Sequence, residues 1–152
     1  VIKEIAIDQA DMASKVWKLQ MLSYQVEAEL LRISDFPPLR ERESDLQLSD
    51  ETFYGYFHDQ VLAGVISINC NRQIIDITRL MIHPDYFRKG IATQLLTVIL
   101  SLYQEAQLIK VSTALDNKPA VNAYLKQGFK QMKKTYMPEG LWIVSFEKKL
   151  PY

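Results

Sequence analysis

One cysteine, Cys70, is all this sequence holds, so no internal disulfide is possible and the signature of an oxidising compartment is missing. Cys70 closes the apolar run Ser67-Ile68-Asn69-Cys70 and reads as a small buried thiol rather than a nucleophile. Charge of one sign is also lacking: eighteen basic residues balance eighteen acidic ones, for a formal net charge of +0. A nucleic-acid-binding domain is usually strongly basic, so no nucleic-acid partner is expected. No run reaches the ~18–20 consecutive apolar residues of a membrane span. The opening segment, Val1 to Asp11, carries Glu4, Asp8 and Asp11 without a long apolar stretch after it, unlike a signal peptide. A cytoplasmic protein without membrane contact is expected. Repeats, low-complexity tracts and linkers are absent too. What is present is ordinary globular composition, 48% apolar and 24% charged over 152 residues, the length of one domain spanning 1–152.

The order of elements follows from periodicity and breakers. Val1 to Ile7 reads as a short strand. From Met12, apolar residues at Val16, Leu19, Leu22, Val26, Leu30 and Leu31 keep helical spacing until Asp35-Phe36-Pro37-Pro38. Leu39 to Asp50 is either a second short helix or an ordered loop. Thr52–Phe57 and Val61–Cys70 read as a hairpin, and Gln73–Ile82 as a third strand. A helix opens at Gly90, and Leu108–Thr113 is a strand. Asn117–Gln127 is a helix with Asn117 as N-cap, Pro119 in its first turn and Gly128 just beyond its end. Gln131–Met137 and Leu141–Leu150 close the chain as strands. This order implies an α/β (α+β mixed) fold, one mixed sheet with helices on its faces.

Two segments carry chemistry. In Leu80-Met81-Ile82-His83-Pro84-Asp85-Tyr86-Phe87-Arg88-Lys89-Gly90-Ile91-Ala92-Thr93 a strand leads through a basic loop into a helix start. First-turn N–H groups lack internal partners and the helix dipole adds positive potential. Small Gly90 and Ala92 leave the backbone approachable, and Arg88 and Lys89 add charge, so the segment suits a pyrophosphate. It is neither a P-loop nor a dinucleotide fingerprint, for want of Gly-Lys-Ser/Thr and of repeated glycines. The second segment is Asn117-Lys118-Pro119-Ala120-Val121-Asn122-Ala123-Tyr124-Leu125-Lys126-Gln127-Gly128-Phe129, in which Asn117, Ala120 and Tyr124 fall on one helical stripe.

Together, in this order and about 30 residues apart, the two segments resemble the coenzyme A signatures of the GNAT superfamily of N-acetyltransferases. The first follows the pattern Gln/Arg-x-x-Gly-x-Gly/Ala, with Phe87 in place of the leading Gln or Arg and Arg88 beside it as the substitute cation. The second follows Asn-x-x-Ala-(x)3-Tyr-x-x-x-Gly-Phe throughout. The resemblance implies a mostly antiparallel sheet of about seven strands, splayed where Gln73–Ile82 parts from Leu108–Thr113. It implies acetyl-CoA as cosubstrate and no metal. Pantetheine would pair with the backbone of Leu80, Met81 and Ile82, and the pyrophosphate would sit at Arg88, Lys89, Gly90, Ile91, Ala92 and Thr93. Asn117, Ala120 and Tyr124 would line the acyl end.

Roles follow from the same resemblance. Tyr124 would protonate the leaving thiolate, and Asp76, by strand alternation on one face with Thr78 and Leu80, would serve as general base, directly or through water. His58, in the hairpin turn, and His83, in the His-Pro turn, compete for the base role but read as exposed and structural. Otherwise Asp76 would pair with Arg79 or Arg72. The acceptor is a primary amine of a small molecule. A protein or peptide amine, or a non-catalytic acyl-CoA sensor, are the alternatives. Acids and aromatics between Tyr24 and Asp45 suit a cationic amine, or form a solvated helix face. A homodimer is possible.

Overall fold

The computed structural model describes residues 1–150; Pro151 and Tyr152, the last two residues of the expected domain, lie outside the described residues. Strand β1 (Ile2–Ile5) leads into helix α1 (Ala10–Leu31), whose stripe of Ala13, Val16 and Leu19 is buried. This helix stops one turn before the prolines, where Arg32 adopts φ 57° and its N–H turns back to the last carbonyls. The prolines instead open a 3-10 turn, Pro37–Arg40, followed by the short helix α2 (Glu43–Gln47), which buries Leu46.

Strands β2 (Thr52–His58) and β3 (Val61–Asn71) form the expected hairpin, with Asp59 at φ 55° in its two-residue turn. Strand β4 (Ile74–Ile82), helix α3 (Ile91–Leu102), strand β5 (Leu108–Ala114), helix α4 (Lys118–Lys126) and strands β6 (Lys130–Tyr136) and β7 (Trp142–Lys149) complete the chain. The sheet order is β1-β2-β3-β4-β5-β7-β6, antiparallel except between β4 and β5. Helices cover both faces. Helix α1, with α2, packs on one apolar cluster containing Phe53, Val65 and Met81. On the other face, α3 and α4 share a cluster with Ile66, Ile75, Ile109 and Phe146. No helix among the described residues is long and apolar enough to cross a membrane.

Two local features place the site. The β4–β5 pairing lasts for three positions only, Ile74 to Asp76 against Leu108 to Lys110. Beyond it the strands diverge, so the free edge of Ile77–Ile82 and that of Val111–Ala114 face a gap. Second, the β3–β4 register shifts at Ser67/Ile68: Ile68 opposes Ile77 while Ser67 opposes Arg79, leaving Thr78 as the extra residue of a β-bulge. Thr78 Oγ1 donates to the Ser67 carbonyl at 3.0 Å and lies 2.7 Å from Ser67 Oγ.

The bulge overturns the expectation that Asp76, Thr78 and Leu80 share a face. Ile75, Ile77 and Leu80 pack toward α3, whereas Met81 belongs to the α1 side. Cys70 is likewise exposed rather than buried. The buried part of β3 ends at Ile68, and Asn69 to Asn71 run on to the exposed end of the sheet.

Candidate active site

At the wide end of the gap, α3 begins. Gly64 of β3 lets it sit close, because a Cβ there would come within 2.8 Å of Ile91 Cγ2. Burial of Ile91, Leu95 and Ile99 fixes the helix, at roughly 1.5–3 kcal/mol for each apolar side chain. Gly90 is its N-cap at φ 75°, with Arg88 at φ 62° before it. A left-handed φ favours glycine, and the space above Gly90 is empty to 4 Å. The first intrahelical bond is Gln94 N–H to the Gly90 carbonyl, so the N–H groups of Ile91, Ala92 and Thr93 have no helical acceptor. Arg88 and Lys89 are exposed beside them, with Lys89 Nζ over the Tyr86 ring. Free first-turn N–H groups beside two exposed cations are the chemistry an anion-binding helix start needs.

Along the gap lies a cavity of about 320 Å³. Its floor is Ile77 to Leu80 of β4 and Val111 to Ala114 of β5. Helix α4 and its cap contribute Asn117, Ala120 and Tyr124 to one wall, so the expected stripe faces the cavity. Helix α1 and the turn after it contribute Tyr24, Glu27 and Phe36 to another, and Glu139 closes the rim. Leu80 lines the cavity, while the Met81 side chain is wholly buried on the α1 side and Ile82 packs against the α3-side core. Only the backbone of Met81 and Ile82 is therefore presented on the free edge of β4.

Tyr124 is 6% exposed, its ring packed on Phe129 and Phe146. Burial, and secondarily the negative charge of Glu27, push its phenol above the ordinary tyrosine range, so it stays protonated. Asn117 does two things. Its Oδ1 accepts the Ala120 N–H at 3.3 Å, capping α4, and its Nδ2 donates to Glu27 Oε1. Burial raises the Glu27 carboxyl above its ordinary range, against the opposing hydrogen bond from Asn117. The second oxygen, Oε2, accepts no hydrogen bond among the described residues, which leaves Glu27 able to take a proton.

Glu27 is one of the acids between Tyr24 and Asp45 that the sequence groups as an acceptor wall, and motif reading gives it no role of its own. Its signal is the stripe Gln20, Tyr24, Glu27 at i, i+4 and i+7, the polar continuation of Ala13 and Val16 as α1 passes over the gap. Asp76 is not brought to the cavity. It is exposed on the closed end of the splay, opposite Asn69 and Lys110, and makes no ion pair among the described residues. Its expected partner Arg79 is taken by Glu41 and Glu51, at 2.7 Å each. His83 accepts the Asp85 N–H at 3.1 Å, a turn-capping role, and His58 is exposed. Among the described residues no group of three His, Cys, Asp or Glu is placed to hold a metal ion.

Residues 20–150 match the acetyltransferase (GNAT) domain. The chain is 36% identical over 138 residues, 91% of its length, to the UPF0157 protein YqkA of Bacillus subtilis (strain 168), and spans 40% of that protein. In fold it is similar to the PaiA N-acetyltransferase of Thermoplasma acidophilum in complex with coenzyme A (TM-score 0.77, 20% identity, covering 99% of each chain). The Escherichia coli ribosomal-protein-S18-alanine N-acetyltransferase is also similar (TM-score 0.77, 12% identity, 98% of this chain and 92% of that one). With the splayed sheet, the open helix start and the sequence match in agreement, the chain belongs to the GNAT acetyltransferase family.

Proposed function

We propose that this protein transfers an acetyl group from acetyl-CoA to a primary amine bound at the same time. The observation that carries the reading is the meeting of Glu27, Tyr124 and two unpaired strand edges in one cavity, on the strand β4 that leads on to the open Gly90 helix start. Acetyl-CoA, when bound, supplies the activated acetyl thioester. The pyrophosphate is held by the N–H groups of Ile91, Ala92 and Thr93 and by Arg88 and Lys89. The edge formed by Leu80, Met81 and Ile82 pairs with the pantetheine amides.

An alkyl ammonium has a pKa near 10, so it must lose a proton before it attacks. Glu27 takes this proton through Oε2, and its raised pKa brings it closer to the working range of a general base. It replaces Asp76 in that role because Glu27 lines the cavity and Asp76 does not. A backbone N–H at Leu80 or Met81 donates to the acyl oxygen as negative charge builds there, commonly worth about 3–4 kcal/mol when one such donor is lost. Tyr124 gives its proton to the departing sulfur. Asn117 is a positioning residue, fixing Glu27 from the helix that carries Tyr124.

The test is release of free CoA, with product mass, from acetyl-CoA and a panel of primary amines. Turnover on at least one amine, reduced in both Glu27→Gln and Tyr124→Phe, is expected. Tight acetyl-CoA binding without turnover on any amine would overturn the enzyme reading in favour of a binding module.

A further inference from the structure

Beside the gap, α1 and the segment after it enclose a second cavity of about 200 Å³. It shares Tyr24, Pro38, Thr78 and Arg79 with the main cavity, so the two adjoin. Its remaining walls are Gln20, Glu41 and Glu51. Nothing in the acetyl-transfer step uses it.

Its charge is decided by one guanidinium. Arg79 is the one cation among the residues that line either cavity, and both of its terminal nitrogens are bound to carboxylates. Nη1 donates to both oxygens of Glu51, at 2.7 and 2.9 Å, and to Ser67 Oγ at 3.3 Å, while Nη2 donates to Glu41 at 2.7 Å. The charge of Arg79 is already more than matched by these two acids, which disfavours a carboxylate or phosphate on the acceptor. Two carboxylates around one guanidinium leave the side cavity negative. Glu27 and Glu139 carry the same sign into the main cavity.

A second observation is independent of charge. Gln20 is completely buried, and its Nε2 donates to the Pro38 carbonyl at 3.0 Å and to Glu41 Oε1 at 2.7 Å. Both partners are acceptors, which fixes the amide orientation. Gln20 Oε1 is then buried without any donor, the one such side-chain atom found among the described residues. An unpaired buried acceptor is costly and points to a ligand N–H. Between the two cavities stands Tyr24, whose ring lies 5.8 Å from that of Phe36, aromatic faces that tolerate a passing ammonium group.

We infer that the acceptor is an unbranched diamine that places its distal ammonium in this side cavity, against Gln20 Oε1 and the Glu41 and Glu51 carboxylates. The inference rests on the acetyltransferase reading above and names its substrate class. The proximal amine sits by Glu27. There the thioester C–S bond breaks and a C–N bond forms. Of the two protons the nitrogen loses, Glu27 takes one to solvent and the other replaces the one Tyr124 gives to sulfur. The distal ammonium is unchanged. An acceptor that carries a carboxylate is disfavoured here, because the charge of Arg79 is already matched by Glu41 and Glu51.

The experiment compares three acceptors of equal length, butylamine, 1,4-diaminobutane and 4-aminobutanoate, at saturating acetyl-CoA. The diamine should exceed the monoamine at least tenfold in kcat/KM, and the amino acid at least a hundredfold. In Glu41→Gln, which removes one charge, and in Gln20→Met, which removes the unpaired oxygen, the diamine-to-monoamine ratio should fall at least fivefold. Should Gln20→Met not fold, Glu41→Gln carries the comparison. Equal use of diamine and monoamine, or preference for 4-aminobutanoate, overturns the inference and leaves the acetyltransferase reading intact. Calorimetric titration of 1,4-diaminobutane and butylamine into the CoA complex separates the opposite case. Tighter diamine binding with no turnover keeps the ammonium site and removes the enzyme reading.

Discussion

Replacing Glu27 by glutamine tests the proposed base with little structural disturbance. The amide is isosteric, and its oxygen can still accept from Asn117 Nδ2, so the tie between α1 and α4 persists. The cap on α4 is made by Asn117 Oδ1 and is untouched. Acetyl-CoA affinity should therefore stay within about threefold, below ~0.7 kcal/mol. Basicity, by contrast, is lost. At pH 7 an alkyl ammonium with a pKa near 10.4 is free amine in about one molecule in 2,500. Turnover should fall by the ~10²–10⁴ typical of general-base removal. The shape of the pH profile separates base from bystander. In the wild type the acid limb lies above the ordinary carboxylate range, because burial raises the Glu27 pKa, and then reaches a plateau. In Glu27→Gln the rate should climb about tenfold per pH unit toward the pKa of the amine itself, without that plateau. Stability should move the other way. A carboxyl whose folded pKa is raised opposes folding by its ionisation: the cost is absent below the ordinary carboxylate pKa, grows as pH rises toward the raised value and is full above it. Tm of Glu27→Gln should thus equal or exceed that of the wild type at pH 8, the difference shrinking at pH 4. CoA release measured from pH 6 to 10 decides the matter. A variant with wild-type rate and an unchanged plateau would refute Glu27 as the base.

Tyr124→Phe keeps the packing on Phe129 and Phe146, so CoA binding should hold while turnover drops roughly tenfold to a thousandfold; full turnover would remove the phenol from the mechanism. Reversing Arg88 and Lys89 to glutamate should weaken CoA binding in calorimetry, more at low salt, where screening is least. Gly90→Val should weaken it further, since it fills the empty space above the helix start and strains a backbone at φ 75°. Arg79→Met should cost about 3–5 kcal/mol in urea unfolding, because it leaves Glu41 and Glu51 partly buried without their counter-charge. A loss under 1 kcal/mol would show that these carboxylates are well solvated without it.

What could be read from the chain was whatever depends on neighbours in sequence. The Gly90 helix start, the Asn117 cap and the stripe of Asn117, Ala120 and Tyr124 are local, and each stands where its motif placed it. The shared face of Asp76, Thr78 and Leu80 does not form, because strand alternation assumes unbroken pairing. The register shift opposite Ser67 is a property of two strands together, and nothing within Gln73–Ile82 announces it. Glu27 lies ninety residues from Asn117, and only the packing of α1 across the gap makes them partners. The stripe Gln20, Tyr24, Glu27 was visible, yet a polar stripe on a long helix reads equally as a solvated face until the sheet beneath it is known. Cys70 shows the reverse error, an apolar context that continues past the edge of the core.

The three rungs between β4 and β5 have a mechanical consequence. Among the described residues they are the only strand pairing that joins one plate, β1 to β4, to the other, β5 to β7. Beyond them the contact between the plates is largely apolar, under α3, and tolerates small rotations better than hydrogen-bonded strands do. The rungs thus act as a hinge at one end of a wedge. Glu27 rides on the first plate, through α1, and Tyr124 on the second, through α4. The Asn117–Glu27 hydrogen bond is a strut across the open end, beside the cavity that Glu27 and Tyr124 both line. Whatever fills the wedge bears on its angle, and with the angle on the spacing of Glu27 and Tyr124, the proposed base and acid. A coenzyme seated along both free edges would splint the plates at the spacing the reaction requires.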